Sequence, residues 1–239
     1  MIYLGNKKIT DLNYGGTPIK EAYYGSTLVW RKQALEGVHN LHSWVDLGLP
    51  SGTLWANMNI GANTNYDYGD YFAFGEISEK SSYTEGNYDH YGMAIGEFSG
   101  QERFDAATSI WGGGWRTPTY NEISELDRYC TTEIVQVTDI FGQVQSICMV
   151  RGTNGKSIYM PLSGYYTGES RLNRGIKGYY WSSTPYSSGT DDHAQAYSLD
   201  VDTTLPTGDN NHLYIPIPSY ERWLGLTIRP VLDRSSLGS

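Results

Sequence analysis

The chain has 239 residues, 14% of them aromatic, with 21 Tyr, 7 Trp and 28 Gly; this excludes a disordered chain and favours a turn-rich β protein over a helical bundle. Its formal net charge of −9 would repel a phosphate backbone, which excludes nucleic acid as a partner. No apolar run approaches the roughly 18 residues of a membrane span, and the opening MIYLGNKK lacks a signal-like apolar stretch, so neither membrane insertion nor a secretory signal is expected.

Residues 1–31 repeat with a period of ten: IYLGNKKITD, LNYGGTPIKE and AYYGSTLVWR. Gly5, Gly15 and Gly25 align, as do Leu4, Tyr14 and Tyr24. Each unit is too short to bury a core, so stacked strands with Gly-centred turns should share one apolar face. Such a sheet is marginal alone. Residues 1–31 therefore read either as a decorative meander or as an attachment or homo-oligomerisation module. Residues 32–41 read as a linker or short helix.

From residue 42 to 233 the chain reads as one α+β, turn-rich domain. HSWVDLGLPSGTLWANMNIGA alternates apolar and polar residues around a turn at Leu49–Gly52, and Tyr66, Tyr68, Phe72 and Phe74 give a period-two signal. Residues 77–100 are polar and Gly-rich, which predicts a long surface loop. A short helical piece is expected over Phe104–Ile110. The clearest helix starts at Thr119, which forms a capping box with Glu122, followed by Ile123, Leu126 and Cys130 at helical spacing. Three strands follow, IVQVT, QSICMVR and KSIYMP, the last two joined by an Asn154-Gly155 turn. The first hairpin sets Cys148 opposite about residue 134, away from Cys130, so two buried free thiols are expected. Residues 234–239 read as a disordered tail.

Between Gly178 and Val231 stands a frame with a filling. The frame is GYYWSST (178–184) and GLTIRPV (225–231). The filling, Tyr186 to Trp223, takes 21 of its 38 residues from Tyr, Ser, Thr, Asp, Asn and His. Antibody loops use similar chemistry: Tyr supplies rigid contact area, and the small polar residues supply adaptable hydrogen bonds. The filling holds six acidic residues against Arg222 alone, which favours a basic or neutral partner. The candidate ligand-binding residues are Tyr186, Ser187, Ser188, Thr190, Asp191, Asp192, His193, Ser198, Asp200, Asp202, Asn210, Asn211, His212, Tyr214, Tyr220, Arg222 and Trp223. Alternation around Tyr197 sets Ser198, Asp200 and Asp202 on one side of a strand. The frame tryptophans, Trp44, Trp55, Trp111, Trp115 and Trp181, are expected in the core.

HSWVDLGLPSGTLWA, YGDYFAFGE, WGGGWRTPTYNEISEL, NGKSIYMPLSGYY, YYWSST and GLTIRPV, in order over about residues 42–232, together resemble the FISUMP-like major paralogous domains of bacteria and phages. The resemblance implies a C-type-lectin-like fold of the formylglycine-generating-enzyme branch, with an aromatic scaffold carrying a loop-rich C-terminal segment. A narrower resemblance is to the variable proteins of diversity-generating retroelements, whose C-terminal part is diversified toward Tyr, Ser, Thr, Asp, Asn and His. The YLG and YYGSTLVW units are similar to the N-termini of phage structural proteins. Together these imply a receptor-binding component of a phage tail fibre or a surface adhesin, located on a virion tail or an extracellular surface. Its partner would be a protein or carbohydrate on a host or target cell surface. The alternative is a structural fibre subunit whose filling is passive. The lectin calcium and sugar motifs and a paired-thiol site are absent, so neither calcium-dependent sugar binding nor oxidase chemistry is implied.

No enzyme, catalytic residue, cofactor or metal is assigned. Gly152–Ser157 imitates a phosphate loop but has two residues between its glycines and leads into a strand. His39 and His42 lack further ligands for a metal. Asp200, Asp202 and Asp209 match no calcium-loop spacing and read as a solvated acidic face.

Overall fold

The computed structural model describes residues 3–4, 7–8, 11–14, 16–31, 34–138, 142–187, 194–202 and 218–237. The chain divides into two compact units, Met1–Leu35 and Glu36–Ser239. In the first, each ten-residue unit is a hairpin of its own. β1 (Tyr3–Leu4) pairs with β2 (Lys7–Lys8), β3 (Leu12–Tyr14) with β4 (Thr17–Ile19), and β5 (Glu21–Tyr24) with β6 (Thr27–Arg31). Gly16 and Gly25 take φ of +82° and +61° with open space around them, so these turns need glycine for its backbone freedom. Tyr14 and Tyr24, aligned in the sequence as parts of an apolar face, are 82% and 83% exposed.

The second unit begins with β7 (Glu36–His39), which pairs with β8 (His42–Asp46) across a two-residue turn. The stretch read as a linker thus supplies an edge strand from Glu36 onward. Asn40 and Leu41 take φ of 45° and 70°, the twist a tight hairpin wants. The turn is held by its neighbours: the Asn40 amide donates to the Trp111 carbonyl, His39 Nε2 lies 2.6 Å from the Gly113 carbonyl, and the His42 ring stacks on Trp111 at 3.7 Å. β9 (Leu54–Ala56), β10 (Trp115–Arg116) and β19 (Val231–Leu232) complete a five-stranded antiparallel sheet in the order β10-β19-β9-β8-β7.

A second sheet is β11 (Thr131–Thr138), β12 (Val144–Arg151) and β13 (Ser157–Pro161). Cys148 pairs with Ile134 in the ladder, and both cysteines are buried. The Asn154-Gly155 turn clamps onto the end of β8: Asn154 Nδ2 donates to the Asp46 carbonyl at 2.7 Å and Thr153 Oγ1 to the Gly48 carbonyl at 3.0 Å. β14 (Tyr165–Thr167) and β15 (Ser170–Leu172) form a hairpin. The third sheet is β16 (Lys177–Pro185), β17 (Gln195–Asp202) and β18 (Ser219–Glu221). All named ladders are antiparallel.

Only two α-helices occur among the described residues, α1 (Ala106–Trp111) and α2 (Tyr120–Tyr129). The Asp105 carboxylate caps α1 and also receives the Thr117 N–H and hydroxyl. The capping box at Thr119 and Glu122 is present, and Glu122 also binds Arg116 at 2.6 Å and the Thr53 hydroxyl at 2.8 Å. Six and ten residues of helix do not make a layer. The expectation of an α+β, C-type-lectin-like fold is therefore replaced by a β-rich fold of several antiparallel sheets. The reason is compositional: only one run has helical periodicity, while Tyr, Trp, Thr, Ser and Gly fill the rest. Arg234–Leu237, read as tail, forms a short 3-10 helix, with Arg234 bound to Asp46.

Three apolar clusters form the core, the smallest of them Tyr71, Ala73, Tyr83 and Tyr88. Of the two larger, one holds Trp44, Phe72, Phe74, Trp111, Trp115 and Trp181; the other holds Val45, Trp55, Ile123, Leu126, Cys148, Leu199 and Val231. All five frame tryptophans are buried. The frame closes on itself: Trp181 N–H donates to the Thr227 carbonyl and Thr227 N–H to the Tyr179 carbonyl. Arg229 is buried between these layers, donating to Asn59 Oδ1 at 2.8 Å and to the Ala56 and Tyr159 carbonyls at 3.0 and 2.7 Å. With neutral acceptors only, burial pulls its pKa down to about 10.

Candidate ligand-binding surface

The filling is anchored by its own strands. β16 and β17 pair with Lys177 opposite Asp202, Tyr179 opposite Asp200 and Trp181 opposite Ser198. β18 then pairs with the start of β17, Gln195 facing Glu221 and Tyr197 facing Ser219. Residues 186–194 therefore join two adjacent strands at one end of the sheet. At the other end β17 stops at Asp202, and the Pro218 carbonyl, just before β18, accepts from Ser198 N–H at 3.0 Å. Pairing satisfies the backbone and leaves side chains to the two faces.

One face turns inward. Ser198, Asp200 and Asp202 share a side of β17, as alternation required, but that side is buried. Asp200 accepts from the Ser198 hydroxyl at 2.8 Å and from the Tyr220 hydroxyl at 2.6 Å. Asp202 pairs with the Lys177 ammonium at 2.5 Å. Tyr220 stands edge-on to Tyr179 at 5.6 Å, and Tyr179 edge-on to Tyr165 at 5.0 Å. Burial raises the Asp200 carboxyl to about 7 against the lowering pull of its two hydroxyl donors and Lys177, and burial together with the Asp200 charge raises the Tyr220 phenol.

This corrects the reading of a solvated acidic face. Asp200 and Asp202 satisfy partners inside the sheet, because the side of β17 that carries them is covered and buried polar groups need partners. Arg222 is corrected likewise. It is 1% exposed, its guanidinium 5.1 Å from the Phe74 centroid, with Nε donating to the Gln195 carbonyl at 3.0 Å. Trp223 is half-buried and packs against both the first core cluster and the Tyr71–Tyr83–Tyr88 cluster.

The opposite side is more open. Tyr186 and Tyr197 meet edge-on at 5.3 Å, and Tyr197 lies 4.4 Å from Tyr120 at the start of α2. All three rings are half-buried, and Ser187 beside them is exposed. Thr184 ties this group down: its hydroxyl accepts from Tyr120 N–H at 2.9 Å and donates to Glu97 at 2.8 Å. Such a tyrosine group offers rigid aromatic contact with hydroxyl rims. Tyr120, Thr184 and Glu97 escaped the sequence reading. The available signal was Tyr120's place just after the cap Thr119, where a first-turn side chain stands clear of the helix's packed stripe. Ser188, Thr190, Asp191, Asp192, His193, Asn210, Asn211, His212 and Tyr214 lie outside the described residues.

Comparison with protein-family models, with curated proteins and with solved structures found no match to this chain.

Proposed function

We propose that this chain is a non-enzymatic binding protein that presents those side chains of residues 186–223 not buried in β17 and β18 from a closed aromatic frame to a protein or carbohydrate on a target cell surface. One observation carries the reading: the two frame blocks, more than forty residues apart in sequence, hydrogen-bond directly to each other at Tyr179, Trp181 and Thr227. Positions of the intervening segment outside the buried faces of β17 and β18 can change in sequence without opening that frame. The Tyr120–Tyr186–Tyr197 group adds an aromatic anchor of the kind that dominates interface energetics. The six blocks resembling FISUMP-like domains, and the composition resembling retroelement-diversified segments, support a receptor-binding part of a phage tail fibre or an adhesin.

The test is a binding measurement on whole target cells with Tyr186→Ala and Tyr120→Ala. The reading expects an intact melting transition and binding weakened at least tenfold, since such anchors cost about 2 kcal/mol or more on truncation. Unchanged binding by both variants contradicts it. A second reading, a structural fibre subunit, is favoured by the exposed Tyr14 and Tyr24 of the N-terminal unit. It expects a stable oligomer that is lost on removing residues 1–31.

A further inference from the structure

Arg171 on β15 and Arg174, two residues beyond that strand, stand in an unusual setting. The Arg171 guanidinium carbon lies 5.7, 5.9 and 5.8 Å from the ring centroids of Tyr68, Tyr71 and Tyr166. Arg174 lies 4.8 Å from the same Tyr68 ring. In a chain with 26 acidic and 17 basic residues, carboxylate partners should be easy to find. Arg116 and Arg234 have them. Among the described residues, Arg171 and Arg174 have none. Asp67 accepts the Asn63 and Thr64 N–H groups, and Glu79 shares a hydrogen bond with Asp70.

The platform is built rather than fortuitous. Tyr166 sits directly opposite Arg171 in the ladder. Its strand is pinned by two hydrogen bonds between Tyr166 and Gly225 and two between Tyr83 and Gly168. Arg174 stands between Asn173, at φ of 59°, and Gly175, whose N–H donates to the Leu162 carbonyl at 2.7 Å. Asn173 in turn donates to the Tyr179 hydroxyl at 2.7 Å. A guanidinium held against aromatic rings can keep N–H groups for a carboxylate in a two-pronged grip, and Arg171 is further fixed by a hydrogen bond to the Tyr71 side chain. The net charge disfavours a dense polyanion but hardly affects a ligand with one carboxylate. The half-buried Tyr68 and Tyr166 rings offer apolar surface with hydroxyl rims, which suits the alternating C–H and hydroxyl groups of a pyranose.

We propose that Arg171 and Arg174, on the wall of Tyr68, Tyr71 and Tyr166, form a binding site for the carboxylate of an acidic sugar. The site lies outside residues 186–223 and does not rest on their role. The experiment follows the arginine Nε–Hε signals of the full chain by NMR during titration with methyl glucuronide, methyl glucoside and an acetylated dipeptide with a free C-terminus. The expected result is a saturable shift at Arg171 and Arg174 with the glucuronide alone. Arg174→Gln, at an exposed position, should keep the melting transition and weaken the glucuronide about tenfold or more, the cost of one charge-assisted contact. Arg171→Lys should weaken it similarly although the charge is kept, because the fork is lost. No shift with the glucuronide, an equal shift with the glucoside, or a stronger response to the dipeptide overturns the proposal.

Discussion

Asp200 shows how a single side chain can be read rightly in sequence for its position and wrongly for its direction. Alternation along β17 placed it beside Ser198 and Asp202, and the ladder agrees. Composition carried no information about which face is covered, because aspartate on an open strand and aspartate beneath Tyr220 look alike in sequence. Its burial has a consequence in pH. The folded-state carboxyl titrates at about 7, above its ordinary 3.8. The stability it permits is therefore complete below the ordinary value of 3.8 and is lost progressively as pH rises from there through about 7, above which the charge is held in the interior. Asp200→Asn keeps an acceptor for Tyr220 and removes the charge. We expect it to raise the melting temperature by several degrees near pH 8 and to leave it nearly unchanged near pH 4. Thermal unfolding across that range checks it. Glu122 has the opposite sign. Burial alone would raise its carboxyl, but the hydrogen bonds and charge of Arg116, with Thr119 and Thr53, hold it below the usual range. Its contribution is present above the unfolded value and is lost as pH falls through the folded one. Glu122→Ala leaves Arg116 without its main partner and should cost about 3–5 kcal/mol in denaturant unfolding.

At the scale of elements, the local signals were the legible ones. The capping box, the Asn154-Gly155 turn and the pairing of Cys148 near residue 134 each depend on a few adjacent residues, and each appears in the structure. The β7–β8 hairpin was illegible because Leu41 at positive φ, 92% exposed, violates ordinary turn chemistry. Contacts from Trp111 and Gly113, about seventy residues away in sequence, hold it in place. The α+β expectation failed for a related reason: one strong helix was allowed to stand for a layer. Docking between elements is testable at Gly152. A methyl there would meet the Leu47 carbonyl oxygen at 2.0 Å, and that oxygen is backbone and cannot swing aside. Gly152's φ lies outside the left-handed region, so the penalty is steric alone. Gly152→Ala should destabilise the protein by about 1–3 kcal/mol or more, read as a lower denaturant midpoint at unchanged slope.

At the scale of the molecule, the two units differ in kind. Residues 1–35 carry five basic and two acidic residues, while the larger unit holds nearly all the acid. The smaller unit has no cysteine and, among its described residues, only two-stranded hairpins, too little for stability in isolation. The account expects the chain lacking residues 1–35 to keep its main melting transition, because the cores and sheets of Glu36–Ser239 are its own. The frame was legible as blocks of aromatic sequence; its closure through Thr227 was not, since no local pattern announces a contact so distant in sequence. The most direct measurement replaces Asp191, Asp192, His193, Asn210, Asn211, His212 and Tyr214 together with Ala or Ser, then follows unfolding and target-cell binding in the same preparation. The display account predicts a melting temperature within about two degrees of the parent and binding reduced at least a hundredfold. A collapsed melting transition, or binding that survives, contradicts it.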